Sequence, residues 1–295
     1  MKRVCKSFPG PQTLRDYIST HPDADWEQMR DDNAWGGYQA AHDCRDQAIR
    51  DQGGLCAYCE QQIAADGLLR CQVEHFHPKS DKTGTRNWNL DWENMLAVCD
   101  GGSRSSWEER ENCPLPENLS CDAHKNHMVQ TGKLPAACEG RLLNPIDVPY
   151  FPNLFAFDKG TGCFKPDDAS CAAVKIPGNV YETTAELVNR TITALNLNCK
   201  RLADKRVLLV RNIDQNIETL RKKGIPPAKM PEELVRAAIS TRNGRNFSPR
   251  CAAVWGRQRK ITCIPLIIIC KTIKRHTEAS ASESIKVHCS ITSGE

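Results

Sequence analysis

A chain of 295 residues, 40% hydrophobic and 26% charged, can bury a sizeable core, and its composition is that of a globular protein. No run approaches the roughly 20 apolar residues that span a bilayer. The most apolar stretch, Ile264 to Cys270, is too short, and Met1-Lys2-Arg3-Val4-Cys5 does not open a secretory leader, so the expectation is a cytoplasmic protein with no membrane partner. The net charge of +4 does not by itself argue for nucleic acid: residues 246–295 carry 8 Lys and Arg against 3 Asp and Glu, leaving the remainder with 32 against 33.

Residues 1–52 are predicted to be mostly helical. Leu14, Tyr17, Ile18, Trp26, Met29, Trp35 and Tyr38 recur at mixed helical spacing, and Pro9, Pro11 and Pro22 interrupt the early part. From Gly53-Gly54 to about Gly132, cysteine, histidine, glycine and tryptophan dominate and the helical period is lost. Residues 133–180, rich in Pro and Gly around Leu142-Leu143 and Phe155-Ala156-Phe157, are expected to be a loop-and-strand connector. Helix logic returns at 181–222, where Thr183 or Thr184 can cap a helix with Leu187 and Ile192. The apolar stripe continues through Leu195, Leu197, Leu202, Val207, Leu208, Val210 and Ile213. Pro231, followed by Glu232 and Glu233, suits the start of one more short helix. The organisation expected is thus a helical segment at 1–52, a cysteine-rich core at 53–132, a connector with a helical region at 133–245, and a basic tail at 246–295 without assignable periodicity.

Sixteen cysteines is a high count, and without an export signal the first expectation is metal ligation plus buried thiols, not a disulfide framework. Cys5, Cys44, Cys138, Cys163, Cys171 and Cys199 read as ordinary buried thiols. Cys56, Cys59, Cys71, Cys99, Cys113 and Cys121 crowd into the core segment. Cys56-Ala57-Tyr58-Cys59 can grip one tetrahedral zinc from a tight turn, but a second pair must close the site. Cys99 and Cys121 are the choice, because they flank a Gly/Ser-rich insertion that can fold back; Cys71 or Cys113 is the alternative.

Three further elements interleave with these thiols. In Val73-Glu74-His75-Phe76-His77-Pro78-Lys79-Ser80, read as a strand ended by Pro78, His75 and His77 share one face and Glu74 and Phe76 the other. Asn94 opens the apolar run Met95-Leu96-Ala97-Val98-Cys99, a second strand. Cys121-Asp122-Ala123-His124-Lys125-Asn126 reads as a helix start. Together these elements resemble an HNH nuclease. More narrowly, Leu55-Cys-Ala-Tyr-Cys-Glu60, Glu74-His-Phe-His-Pro-Lys-Ser80, Cys99-Asp-Gly-Gly102, Cys121-Asp-Ala-His-Lys125, Leu142-Leu-Asn-Pro145 and Thr191-Ile-Thr-Ala-Leu-Asn-Leu-Asn198 resemble the HNH proteins of Septu-type anti-phage systems, some of them attached to retrons. The resemblance runs to about residue 240.

The resemblance implies an α+β fold: a ββα-metal core with a structural zinc knuckle (Cys56, Cys59, Cys99, Cys121), embedded in mainly helical flanks. It implies a phosphodiester-cutting endonuclease acting with an ABC/SMC-like ATPase, with 1–50 and 181–240 as the partner-facing segments. By analogy His75 is the general base, oriented by Asn94, while Glu74 and His124 hold a catalytic Mg²⁺ or Mn²⁺; His127 is an alternative to His124. Glu74 stands where many such nucleases place Asp, one methylene shorter. Lys125, with His77 and Lys79, is expected to touch phosphate. Asp122 and Asp100 read as turn or cap residues, Trp88, Trp92 and Trp107 as packing around a small core, and Arg201, Lys205, Arg206 and Arg211 as solvated charge or a phosphate-facing surface. DNA is the expected substrate. An RNA-cutting nuclease with the same site, or a zinc-stabilised binding module without catalysis, are the rivals; the latter leaves Glu74, His75, Asn94 and His124 unexplained.

Overall fold

The computed structural model describes residues 1–65, 68–69, 71–230 and 233–234. The basic tail at 246–295 lies outside them, as does the helix expected from Pro231 apart from Glu233 and Leu234. Among the described residues the architecture is mixed α and β: helices together with three separate two-stranded antiparallel sheets. No helix of the described residues is long and apolar enough to cross a membrane.

Three helices open the chain, α1 (Gln12–Thr20), α2 (Trp26–Asp31) and α3 (Gly37–Asp51), with α1 and α2 both packed on α3. Their buried stripe is Leu14 and Tyr17, Trp26 and Met29, and the small residues Ala40, Ala41, Cys44 and Ala48, whose size lets the helices approach closely. Asp25 starts α2 through a reciprocal capping box with Gln28. The strand pair β1 (Ala64–Ala65) and β2 (Leu68–Leu69) follows.

The central hairpin is β3 (Cys71–His75) with β4 (Met95–Cys99), in a register that pairs Cys71 with Cys99 and His75 with Met95. All five residues of β4 are buried. Gln52, just past the end of α3, clamps that strand. Its amide donates to the Leu55 and Ala97 carbonyls at 2.8 and 2.6 Å and accepts from the Ala97 N–H at 2.9 Å, so this buried polar group is fully satisfied. The strand predicted to run to Pro78 stops at His75. Beyond Phe76, whose N–H bonds the Asn94 carbonyl at 3.0 Å, the His77 N–H goes to the Asn94 side chain and the ladder ends.

The acidic α4 (Trp107–Asn112), capped by Ser106 and Glu109, lies in the insertion before α5 (Cys121–Gln130), which packs on β4. A small sheet of β5 (Phe155–Phe157) and β6 (Phe164–Pro166), then α6 (Asp168–Ala173) and α7 (Thr184–Ala194), complete the compact unit Met1–Val207. Thr183 caps α7, accepting the Glu186 N–H at 3.0 Å. Of the apolar stripe read past Leu195, Leu197, Leu202, Val210 and Ile213 are buried while Leu208 is exposed, and Asn196, at a left-handed φ of 45°, turns the chain before α8 (Lys200–Lys222). A second unit begins at Leu208 within α8.

The motif residues of 142–145 and 191–198 act as fasteners. Buried Thr191 accepts the Leu143 N–H at 2.9 Å and donates to the Leu187 carbonyl at 2.7 Å. Asn198 accepts the Phe164 N–H at 2.8 Å and donates to the Phe164 carbonyl at 2.9 Å. Arg206, read as solvated or phosphate-facing, is instead 6% exposed; its guanidinium donates to the Gly162 carbonyl at 3.1 Å and lies over the Phe164 ring.

Candidate active site and metal centre

Cys56, Cys59, Cys99 and Cys121 bring their four Sγ atoms within 4.8 Å of one another, all buried. Neither Cys71 nor Cys113, the alternatives weighed for closing the site, belongs to this group. Sulfur separations of 3.9 Å (Cys56 to Cys121), 3.7 Å (Cys59 to Cys99) and 3.6 Å (Cys99 to Cys121) match the edges, about 3.8 Å, of a tetrahedron built on zinc–thiolate bonds of about 2.3 Å. Hydrogen bonds from Cys121, Cys59 and Cys99 outweigh burial and hold the Cys56 thiol well below its ordinary value, whereas burial pushes Cys71 up to about 12, an inert thiol. The four thiols can therefore hold one structural metal ion.

Delivering Cys121 to the other three thiols requires the insertion at 100–120 to return on itself. The Ser120 N–H meets the Gly101 carbonyl at 2.9 Å, and a Cβ on Gly101 (φ +62°) would stand 2.2 Å from the Ser120 oxygen, so only glycine fits. Asn196 donates to the Glu117 and Leu119 carbonyls, both at 2.8 Å, and Arg201 donates to Ser120 Oγ at 2.6 Å. The Cys121 N–H then bonds the Leu195 carbonyl at 2.8 Å.

At the other end of the hairpin, His75 is 7% exposed. Its Nε2 lies 2.9 Å from the Asn89 carbonyl, which can only accept, so Nε2 carries the proton and the neutral ring keeps its lone pair on Nδ1. Trp26 packs edge-on at 5.0 Å between ring centroids. Burial pushes His75 down to about 4, partly offset by its bond to Asn89, so the neutral base prevails at neutral pH.

Asn94 does not touch the imidazole. Its Oδ1 accepts the His77 N–H at 2.7 Å, and its Nδ2 donates to the His77 and Trp88 carbonyls at 3.1 and 3.0 Å. Asn94 therefore closes the loop from which Asn89 reaches His75. Asn94→Ala strands three backbone groups and should lower stability by roughly 2–4 kcal/mol in urea unfolding. A loss well under 1 kcal/mol would show that water replaces the amide.

On the opposite face of β3, Glu74 is 7% exposed and paired with the Lys125 ammonium, and the Tyr58 hydroxyl approaches it at 3.4 Å. Asp122 joins this cluster. Its Oδ2 accepts from Gln72 at 2.9 Å and Asn126 at 3.1 Å, while its buried Oδ1 has no hydrogen-bond partner. Burial and the neighbouring Glu74 carboxylate push Asp122 up to about 9. Burial opposes charge on Lys125, but Glu74 and Asp122 hold it above its ordinary value.

His124 is placed elsewhere. Its Nδ1 bonds the Ala194 carbonyl at 2.8 Å, toward α7, and its ring neighbours His127 at 6.2 Å. The reason is helical geometry: residues 122, 125 and 126 share one face of α5, and 124 and 127 fall on another. Asp122, read in sequence as a turn or cap residue, is instead packed into this cluster; its i+3 and i+4 neighbours Lys125 and Asn126 were the available signal. The three groups expected to touch phosphate all have carboxylate partners. Lys125 pairs with Glu74, His77 lies 2.6 Å from Glu139 and 2.8 Å from Asp81, and Lys79 pairs with Glu27.

No family model matches the chain. Over 210 residues, 70% of this chain and 78% of the relative, the sequence is 35% identical to an Escherichia coli protein named "Retron Ec83 putative HNH endonuclease". The hairpin thus carries a buried histidine on one face of β3 and a carboxylate pair on the other, with four thiols gathered at its far end. The chain belongs to the HNH endonuclease family and is an endonuclease acting on nucleic acid.

Proposed function

We propose that the chain is a metal-dependent endonuclease of DNA, the nuclease member of an anti-phage defence pair of the Septu type, in which β3, β4 and α5 form the ββα-metal core and zinc occupies the four-thiol cluster. The observation that carries the catalytic reading is His75, with Nε2–H committed to the Asn89 carbonyl, next in sequence to a buried carboxylate cluster holding an orphaned oxygen. His75 takes the proton of the attacking water at Nδ1. Trp26 and the Asn94-closed loop fix the ring, so the lone pair keeps one direction.

Glu74 and Asp122 would hold a magnesium or manganese ion, whose charge would displace the proton that burial and Glu74 keep on Asp122; oxygen donors of this kind suit a hard divalent cation. When bound, that ion neutralises charge on the phosphate and the leaving oxygen. Lys79, about a third exposed and paired with surface Glu27, is the best placed of the three basic groups to meet a phosphate. A base that activates external water needs no 2′-hydroxyl nucleophile, so the chemistry permits DNA as substrate. The retron naming of the relative supports a defence setting, and a partner ATPase with an ABC/SMC-like head follows from the Septu resemblance.

The test is plasmid and RNA cleavage with Mg²⁺, alongside Mn²⁺ binding followed by electron paramagnetic resonance. Asp122→Asn should weaken Mn²⁺ binding by no less than the roughly 10–100-fold that outer-shell changes cost. His124→Ala should leave it within about twofold. The reverse pattern returns the metal to His124, and cleavage of RNA alone refutes the DNA assignment.

A further inference from the structure

The N-terminal helices carry an open groove of about 630 Å³, lined by Thr13, Asp16, Tyr17, Thr20, His21 and Trp35 among others. None of these residues is assigned to cleavage or to the thiol cluster. The Tyr17 and His21 rings stack at 4.6 Å with 14° between their planes, and Trp35 tilts toward His21 at 6.2 Å. Trp35 is 74% exposed, yet its backbone is fixed: the Asp32 carboxylate accepts the Ala34, Trp35 and Gly37 N–H groups at 2.8, 3.0 and 3.3 Å. The close start of α3 is built in as well, since a Cβ on Gly37 would sit 2.4 Å from the Met29 carbonyl and 2.8 Å from the Tyr17 ring. A large, exposed indole thus stands beside the His21 ring of a stacked pair, at the rim of the groove.

Charge selects its occupant. The lining contains the Asp16 carboxylate, one oxygen of which accepts from Gln12 at 2.6 Å, and no lysine or arginine. Residues 1–52 hold nine Asp and Glu against seven Lys and Arg, so a nucleic acid strand would bring phosphates against a net negative surface. Electron-rich ring faces beside a carboxylate attract a cation, and a flat guanidinium both stacks on indole and pairs with a carboxylate, which an ammonium does less well. We propose that this groove is a docking site for an arginine side chain of a protein partner.

The experiment uses the full chain and N-acetyl-arginine amide, followed by the indole N–H resonance of Trp35 in nuclear magnetic resonance. A saturable shift with roughly millimolar affinity is expected. The neutral planar analogue N-acetyl-glutamine amide should bind at least about tenfold more weakly. Trp35→Ala, a change at an exposed position that leaves the fold intact, and Asp16→Asn should each weaken binding of a tri-arginine peptide, measured calorimetrically, by at least about fivefold. Nuclease activity on plasmid should be unchanged in both variants. No saturable shift, equal binding of the glutamine analogue, or tighter binding of a single-stranded oligonucleotide than of the arginine probes overturns the proposal.

Discussion

His75→Ala is expected to slow plasmid cleavage by about 10²–10⁴-fold, the range a positioned general base contributes. At 1.36 kcal/mol per tenfold this is roughly 3–5 kcal/mol of transition-state stabilisation. The substitution also leaves the Asn89 carbonyl without its donor, at a cost of about 1–3 kcal/mol in stability, small enough for a domain of ordinary stability to remain folded. Zinc content should stay at the wild-type value, because the thiol cluster is anchored at the Cys71–Cys99 end of the hairpin and His75 lies at the other. Single-turnover cleavage, with zinc measured by mass spectrometry on the same preparation, checks both parts. Wild-type rates in the variant would remove His75 from the chemistry.

Cys56→Ser should act on the fold itself. A structural zinc contributes about 10–16 kcal/mol of apparent binding free energy in small zinc domains, comparable with or above the 5–15 kcal/mol stability of a whole domain. The loop bearing Cys56 also holds β4, through the Ala57 N–H to the Ala97 carbonyl at 3.0 Å, so loosening it frees the buried centre of the hairpin. The variant is expected to lose its metal, unfold cooperatively at a much lower temperature and lose cleavage with it. Chelation of wild-type protein should produce the same collapse. Cys71→Ser, by contrast, should retain zinc and melt near the wild type. If Cys56→Ser keeps both metal and melting temperature, the four-thiol site is not structural.

Much of this was legible in the residues. The CxxC at 56–59 and the pairing of Cys99 with Cys121 across an insertion could be read because thiolates have few uses in such company and tetrahedral ligation sets how many must converge. The helix after Thr183, read as capped by Thr183 or Thr184, followed from local rules, which act over a turn and need no distant partner. The partners of Asp122 and Lys125 were not legible, because a carboxylate at a helix start and a lysine beside it have ordinary local explanations. Only packing of α5 against the β3–β4 hairpin turns one face of that helix onto Glu74 and the other, with His124, onto α7. Arg206, Lys79 and His77 were likewise hidden behind their partners, Gly162, Glu27, and Asp81 with Glu139.

Sequence by itself determined the chemistry available: an imidazole, oxygen and thiolate ligands, and the spacing that marks an HNH nuclease. Tertiary structure decided which of those groups meet. Ligand type is a property of a side chain, whereas a shared site depends on helix phase and strand register, and a rotation of 100° per residue separates Asp122 from His124 more decisively than their two positions in the chain suggest.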